Sequence, residues 1–410
     1  MNEQVTYKVY SYRWVVLLNY MLAAIMIQML WATYFSITTE AGLYYGFTDA
    51  TEGVNAISLL SVIFMIGMIA LSFPSFVSFE KFGFKKSVGF GVVLSGVAAL
   101  ARGLLGQSYA AVFVCTIMFA IAQPFILNAV GMVAGRWFPV SERATANGLS
   151  VLSNFVGMMV GLLITPLLLE SGMDIKNILL AYGISSMIIA VLFVSFVREA
   201  PPQPPCAPEK SERSGFMEGF RSLFKKREFV KGMVMYLIML GILNTFFTLI
   251  EPILKQISGN ALDVTQTGII GIVILAMAIV GSFLIPFISD KKSNTNKNLY
   301  LSICMVIGTA GLALFIFVST FTGNAAAAAV YGIFGLGCAP LILTYCGEVA
   351  FPTSEGTSEG LLMFGGNVAG VIILGLAGML GGNYVILMWG MAILLTVATA
   401  ISFTLKEKIS

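Results

Sequence analysis

Apolar segments long enough to cross a lipid bilayer recur along the whole of this 410-residue chain. Hydrophobic residues make up 58% of the sequence and charged residues only 10%, and a soluble domain of this length could not bury so much apolar surface. The sequence therefore predicts an all-α polytopic membrane protein. Twelve spans are expected, six on each side of a polar linker, at 14–37, 56–79, 87–105, 109–134, 146–168, 176–197, 229–254, 266–289, 299–320, 325–347, 360–380 and 384–405.

The two halves of the chain share short motifs in the same order. The pattern Phe-Pro-x-x-Glu, followed by Gly-Leu, occurs at 138–149 and recurs at 351–361. Upstream of it, Pro-Phe-Ile-Leu at 124–127 matches Pro-Leu-Ile-Leu at 340–343. Such a repeat is typical of secondary transporters, whose substrate site lies between two repeated halves. The sequence predicts two six-helix bundles with pseudo-twofold symmetry at 1–197 and 229–410, joined by a linker at 198–228.

Lys and Arg residues are concentrated on one side of the predicted membrane. If both termini are cytoplasmic, only Arg102, Lys176 and Lys255 fall on the outer side, and the outer loop 38–55 has acidic residues but no base. Because Lys and Arg are enriched in cytoplasmic loops, the sequence predicts a multi-pass protein of the inner (plasma) membrane with both termini inside the cell. A net charge of +3 gives no indication of nucleic-acid binding.

The linker begins with a proline-rich stretch that cannot stay helical. Phe216, Phe220 and Phe224 then follow at four-residue intervals beside basic residues, which predicts an amphipathic helix on the inner membrane surface. A basic flank that obeys the positive-inside rule explains the charges equally well. The five cysteines lack metal-ligand spacing and histidine is absent, so we expect no metal site, cofactor or disulfide framework, and any proton relay would use carboxylates.

Acidic residues followed by bases occupy matching turns in the two halves. Glu80-Lys81 follows span 2, and Asp290 with its neighbouring lysines follows span 8. This arrangement resembles the major facilitator superfamily motif between helices 2 and 3, although Glu replaces the usual Asp and the leading Gly is missing. The resemblance implies that the acid latches the inner gate. Two ordinary positive-inside loops are the alternative interpretation.

The two repeated hinges carry different charges. Arg136, Glu142 and Arg143 form a mixed, mainly basic hinge in the first half, whereas Glu355 and Glu359 form an acidic hinge in the second. We hypothesise that they meet across the pseudo-twofold axis and hold the cytoplasmic side shut. Opposite charges in partial burial can bias a two-state equilibrium by a few kcal/mol, which is enough to matter for alternating access.

Polar side chains inside the predicted spans fall mostly on spans 1, 4, 7 and 10, which line the central path of a two-bundle transporter. In hydrocarbon such side chains face the bundle interior or a cavity, although Asn and Gln also join helices by hydrogen bonds. Glu251 is the one acid well inside the outer half of a span and is therefore the candidate for proton coupling. The other polar or aromatic candidates are Asn19, Gln28, Trp31, Tyr34, Gln123, Asn128, Asn154, Asn244, Thr245, Thr248, Thr344, Tyr345 and Asn367.

Several further segments share a family pattern, and they lie at 13–18, 31–37, 80–83, 122–127, 136–138 and 355–362. These segments resemble the feline leukaemia virus subgroup C receptor-like family of facilitators, whose animal members are associated with choline, ethanolamine and haem transport. The resemblance implies that Trp31 on helix 1 and Gln123 on helix 4 meet a cationic head group. The family places a tyrosine on helix 7 and a glutamine on helix 11, where this chain has Thr248 and Asn367.

We therefore predict a major facilitator protein that moves a small organic solute by alternating access, as a secondary-active or facilitative carrier. An amine or organic cation such as choline or ethanolamine is the expected substrate, since an ammonium group favours an aromatic face. An organic-anion or drug exporter attracted by Arg102, and a non-transporting receptor, stay open as alternatives. The sequence contains no clustered set of catalytic residues, so we do not expect an enzyme. We expect a monomer whose partners are its substrate and the lipid bilayer. The predicted substrate-binding residues are Trp31, Tyr34, Gln123, Asn244, Thr248 and Asn367.

Overall fold

The computed structural model describes residues 8–205, 222–291, 297–350 and 355–406, and within these ranges the regular structure is entirely helical. The predicted linker helix falls largely outside them, since Phe216 and Phe220 are not among the described residues. The helices are α1 (Arg13–Ala32), α2 (Thr38–Tyr44), α3 (Ala50–Leu104), α4 (Tyr109–Leu127), α5 (Val130–Trp137), α6 (Val140–Glu170), α7 (Ile175–Phe196), α8 (Arg227–Thr248), α9 (Ile250–Ser258), α10 (Val264–Lys291), α11 (Lys297–Phe317), α12 (Phe321–Val330), a π-helical turn (Tyr331–Leu336), α13 (Ala339–Ala350), α14 (Glu355–Met379) and α15 (Tyr384–Ser402).

The helices of the described residues include eleven stretches that are long and apolar enough to cross a membrane. One of them, α3, has 55 residues. A straight helix of that length would extend about 80 Å at 1.5 Å per residue, far more than the roughly 30 Å of a bilayer core. Helix α3 is interrupted at Gly83, so it supplies two spans and brings the total to twelve. The predicted all-α polytopic membrane fold with twelve spans is confirmed.

The bend inside α3 depends on a conformation that only glycine adopts readily. Gly83 has φ +82° and ψ −179°, and the predicted loop between spans 2 and 3 is reduced to this one residue between two helical segments. A Cβ atom at Gly83 would also lie against the carboxylate of Glu199. The two helical segments of α3 therefore meet directly at Gly83, with no longer loop between them.

Helical structure is also interrupted within spans 1, 4, 7 and 10. Span 1 is interrupted between α1 and α2, span 4 at 128–129, span 7 at Leu249, and span 10 by the π-helical turn. Pro124, Pro252 and Pro340 lie close to three of these interruptions, and a proline cannot donate the backbone hydrogen bond that would continue the helix. The four interrupted helices are the ones predicted to line the transport path.

The described residues divide into two compact units. The first contains the residues up to Tyr34, Glu40–Thr48 and those from Leu59 to 205, and the second contains Phe35–Thr39, Asp49–Ser58 and those from 222 onward. Two short segments of the first half of the sequence thus belong to the second unit. The predicted domain boundaries at 197 and 228 stay predictions.

Small residues allow close helix packing inside each unit. In the first unit, a Cβ atom at Gly157 of α6 would collide with the backbone of Ile25 in α1. In the second, Gly241 of α8 packs against Ala369 of α14, and Gly366 of α14 packs against Leu240. Small residues in spans 5 and 11 therefore allow α6 to pack closely against α1 and α14 to pack closely against α8.

Candidate functional site

The end of α1 carries the first two predicted substrate-binding residues. Trp31 is 9% exposed and Tyr34 is buried just beyond the helix. The hydroxyl of Tyr34 lies 2.8 Å from that of Tyr45, and the ring of Tyr45 contacts the rings of Tyr44 and Tyr109. Burial raises the pKa of Tyr45, so its hydroxyl stays neutral and can donate or accept this hydrogen bond. Tyr34 is therefore part of an aromatic cluster at the predicted outer end of the first unit.

Arg102 lies beside this cluster and is almost completely buried, with 1% of its surface exposed. Its guanidinium lies 4.8 Å from the ring centroid of Phe119 and 5.9 Å from that of Tyr34. Nη1 donates to the carbonyl of Leu30 at 3.4 Å, and Nη2 donates to the hydroxyl of Thr33 at 3.3 Å. Arg102 was expected near the outer mouth as an attracting charge. The structure instead places it in the protein interior, against the end of α1.

Gln123 lies on α4, one helical turn after Phe119, and is 6% exposed. Its Oε1 atom is buried and has no hydrogen-bond donor among the described residues. Asn128, at the interruption between α4 and α5, donates to the hydroxyl of Ser75 at 3.0 Å. Asn128 therefore joins two helices, as the alternative interpretation of these amides expected, whereas Gln123 keeps an acceptor that no described side chain or backbone group satisfies.

In the second unit, the predicted residues of span 7 cluster where α8 ends. Asn244, Thr245 and Thr248 are buried, and the hydroxyls of the two threonines have no partner among the described residues. Asn367 on α14 is half-buried, and its amide donates to the carbonyl of Met363 one turn earlier at 2.9 Å. This bond occupies one of the two amide hydrogens of Asn367, and the other groups of the side chain stay available.

Glu251 was predicted to lie within the outer half of span 7, but it lies after the interruption, in the first turn of α9. It is completely buried. Thr39 donates to its Oε2 atom from both the backbone N–H and the hydroxyl at 2.9 Å, and Lys255 forms an ion pair with Oε1 at 2.7 Å. All three residues belong to the second unit. The negative charge of Glu251 is thus matched by a cation one turn along its own helix.

The predicted gate residues of the first half form bonds within the first unit. Arg13 pairs with Glu142 at 3.0 Å, and Arg143 donates to the carbonyls of Phe138 and Gly135. Arg136 forms an ion pair with Glu199. Glu80 and Lys81 are exposed, and no ion pair joins Glu80 to another residue in the part of the chain that the structure describes.

Glu199, which was not among the predicted site residues, lies against the bend at Gly83. Its carboxylate accepts backbone N–H groups from Phe84 at 2.8 Å and Lys85 at 2.6 Å, which are the first amides after the bend at Gly83. It also pairs with Arg136 at the end of α5. Glu199 therefore caps the helical segment that follows the bend. Its position directly after span 6 was the available signal. The predicted role of Glu80 in latching the inner gate stays a prediction.

A comparable arrangement joins helix ends in the second unit. The carboxylate of Glu228 accepts hydrogen bonds from Lys231, from the hydroxyl of Tyr345 and from the backbone N–H of Lys406. Tyr345 was predicted to line the path, but its hydroxyl is engaged here. Of the acidic gate candidates, Glu359 is exposed, and the side chains of Asp290 and Glu355 are not described. The predicted meeting of the two hinges stays a prediction.

The sequence model of the Major Facilitator Superfamily matches residues 16–374 of the chain. The chain belongs to this superfamily. The all-helical fold of this facilitator protein, with its twelve spans, agrees with that assignment, and the resemblance stated from the sequence is confirmed.

Curated relatives of this facilitator include transporters with named substrates. It is 28% identical over 263 residues to the solute carrier family 49 member A3 of Danio rerio, covering 62% of this chain and 54% of that protein. It is 28% identical over 286 residues to the choline/ethanolamine transporter FLVCR1 of Felis catus, covering 65% of this chain and 50% of that protein. The chain thus spans about half the length of the first relatives that it matches.

A solved structure with the same fold is the crystal structure of a bacterial homologue of the human lysosomal transporter Spinster, in an inward-facing and unoccupied conformation. The TM-score is 0.72, with 16% sequence identity and 97% of each chain covered. At this identity the similarity shows the fold alone. The facilitator is therefore a helical multi-pass membrane protein of this superfamily, and its activity and substrate have to be argued from its own residues.

Proposed function

We propose that this facilitator transports a small organic amine or other organic cation, with choline and ethanolamine as representative substrates, by alternating access. Trp31 and Gln123 carry the proposal. Both are buried residues, on helices 1 and 4 near interruptions of regular structure, and both match the positions at which the resembling family meets a cationic head group. The names of the relatives FLVCR1 and FLVCR2 support the same class of substrate.

The physical basis is the affinity of an ammonium group for an aromatic face, worth about 2 kcal/mol in a desolvated site. Trp31 supplies such a face, and the Oε1 atom of Gln123 supplies an acceptor that no described group occupies. Asn244, Thr248 and Asn367 complete the predicted set of substrate-binding residues, and their roles stay predictions. Thr248 replaces the second aromatic residue of the family, so we expect weaker binding of a simple quaternary ammonium than a complete aromatic cage gives.

Gating at the predicted cytoplasmic side is proposed to involve the charged helix ends described above. Arg136 and Glu142, with their partners Glu199 and Arg13, hold the ends of helices in the first unit. The distribution of Lys and Arg supports cytoplasmic termini and insertion in the inner (plasma) membrane. Coupling to protons would use Glu251, the one fully buried acid among the described residues.

An organic-anion exporter is the second candidate, and the buried guanidinium of Arg102 is the observation that favours it. A cation that faces the protein interior without a carboxylate attracts anions and repels ammonium groups. The two candidates therefore make opposite predictions for the sign of the charge that the ligand carries.

The test is ligand-dependent thermal stabilisation of the purified protein with amines, carboxylates and porphyrins. We expect choline-like cations to raise the melting temperature, and Trp31→Ala to weaken their affinity about 30-fold, which corresponds to about 2 kcal/mol. Trp389→Ala is the matched control because Trp389 is exposed on α15 and contacts Phe317. Stabilisation by anions alone, or equal effects of the two substitutions, would discard the amine assignment while leaving the superfamily unchanged.

A further inference from the structure

Arg102 is a buried cation that no carboxylate neutralises in the described part of the chain. Its Nε atom has no acceptor among the described residues, and the acceptors of its two Nη atoms are 3.3 and 3.4 Å away, at the long end of the hydrogen-bond range. Ionisable residues inside membrane spans are costly and face a functional path or a partner by default.

The environment of Arg102 compensates the charge only in part. The carbonyl of Leu30 belongs to the last turn of α1, where the helix dipole is negative, and the ring of Phe119 offers its face to the guanidinium. Neither group carries a full negative charge. An anionic group that reached Nε would complete the set of acceptors and supply that charge.

Arg102 also lies next to the residues that the proposed function assigns to the ligand. Phe119, against which the guanidinium stacks, precedes Gln123 by one turn on the same face of α4, which is about 6 Å along the helix. At the end of α1, the two residues that accept from Arg102 are Leu30 in the last turn and Thr33 directly after the helix, on either side of Trp31 in the sequence. The positive charge therefore lies about one helical turn from the proposed ammonium site.

We propose that Arg102 binds an anionic group of the substrate, and that the transported amine is a small zwitterion with a carboxylate or phosphate a few ångströms from its ammonium nitrogen. This proposal rests on the proposed function, because Trp31 and Gln123 hold the ammonium end. A simple cation in the same site is repelled by Arg102, and a simple anion leaves the aromatic face without its cation. A zwitterion satisfies both ends, and it carries no net charge through the protein.

The competing explanation is that Arg102 only holds the end of α1 through Leu30 and Thr33. That role predicts that its charge influences stability but not the choice among ligands of the same shape. Ligand selectivity measured within one folded protein therefore separates the two explanations.

Three ligands of nearly identical shape test the proposal. Glycine betaine carries a quaternary ammonium and a carboxylate, choline carries the ammonium with a hydroxyl, and 3,3-dimethylbutyrate carries the carboxylate with a neutral tert-butyl group. Dissociation constants for the purified full-length protein in detergent would be obtained by isothermal titration calorimetry. We expect glycine betaine to bind at least tenfold more tightly than choline and than 3,3-dimethylbutyrate.

Variants assign the preference to a residue. Arg102→Gln should reduce the ratio of betaine to choline affinity to near one and leave choline binding unchanged or improved, whereas Arg102→Lys should retain part of the ratio. Trp31→Ala should weaken betaine and choline alike and weaken 3,3-dimethylbutyrate less, because a neutral tert-butyl group loses only the apolar contact with the ring. If Arg102→Gln does not fold, the ratios of betaine to choline affinity in the wild type and in Arg102→Lys still decide whether Arg102 selects the ligand.

Choline binding as tight as betaine in the wild type, or a preference for betaine that survives Arg102→Gln, would overturn the zwitterion proposal. If choline binding still depends on Trp31 in that case, the proposed amine transport stands without the zwitterion proposal. Binding of 3,3-dimethylbutyrate as tight as betaine, unaffected by Trp31→Ala, would overturn both proposals and favour an anion transporter.

Discussion

Glu251 offers the sharpest test of how a buried charge is held in the second unit. Its carboxylate accepts two hydrogen bonds from Thr39 at 2.9 Å and pairs with Lys255 at 2.7 Å, with no surface exposed. Glu251→Gln keeps the size and one carbonyl acceptor of the side chain but removes the charge. Lys255, which keeps 22% of its side chain exposed, then loses its counter-charge.

The expected cost follows from these contacts. Removing one partner of a fully buried ion pair costs about 3–5 kcal/mol, and the partial exposure of Lys255 lowers this, because water solvates the released ammonium. The bonds from Thr39 are retained in weaker form, since a neutral amide oxygen is a poorer acceptor than a carboxylate. We expect Glu251→Gln to lower the free energy of unfolding by about 2–3 kcal/mol.

A double-mutant cycle measures the pair itself. Glu251→Gln, Lys255→Met and the double variant would be compared by reversible unfolding in mixed micelles, and we expect an interaction energy of about 1–2 kcal/mol. Thr39→Val should cost about 1 kcal/mol, because it removes one donor but keeps the backbone N–H. Thr38→Val is the control, since the hydroxyl of Thr38 donates to the carbonyl of Phe35. An interaction energy below about 0.5 kcal/mol would refute the argument that Lys255 neutralises Glu251.

Three further predictions concern helix ends and packing. Gly83→Ala should lower the stability of the first unit by about 1–3 kcal/mol, because φ +82° is strained for alanine and its Cβ atom would meet Glu199. Thermal unfolding measures the loss, and Gly148→Ala is the control because a Cβ atom there has no neighbour within 4 Å. Glu199→Gln should cost about 1–2 kcal/mol and speed amide exchange at Phe84 and Lys85, whereas unchanged exchange would contradict the capping role. Gly241→Val should lower the free energy of unfolding by about 1–3 kcal/mol, because its side chain would collide with Ala369. Gly390→Val is the control in the same unfolding measurement, because the space around Gly390 is open.

The fold was largely predictable because its determinant is local. A span needs about twenty apolar residues, and that requirement can be read from the sequence without knowing what each span contacts. Pro124 and Pro340 likewise indicated matching places in the two halves, since proline removes a backbone donor wherever it occurs. The replacement of the predicted loop at 80–86 by two helical segments that meet at Gly83 was not predicted, because polar residues in a loop and polar residues around one non-helical glycine look alike in sequence.

The site was less predictable because its determinants are distant in sequence. Glu199 acts through Phe84 and Lys85, more than a hundred residues away, and Thr39 reaches Glu251 across 212 positions. Arg102 lies near the end of a span, where a basic residue is expected at the membrane surface, and only the packing of Phe119 and α1 reveals its burial. The proposed binding roles of Trp31, Gln123 and Asn367 need a ligand to be tested.

The ion pair of Glu251 also constrains any role in proton coupling. Protonation of its carboxylate would remove the counter-charge of Lys255 and weaken both bonds from Thr39, so a bound proton must alter the contact between α9 and the start of α2. If this exchange drives transport, uptake into vesicles by Glu251→Gln loses its dependence on an imposed pH gradient, while Thr39→Val keeps it. If uptake by Glu251→Gln still follows the gradient, the carboxylate serves only to hold Thr39 and Lys255 in place, and coupling by protons has to be sought elsewhere in the chain.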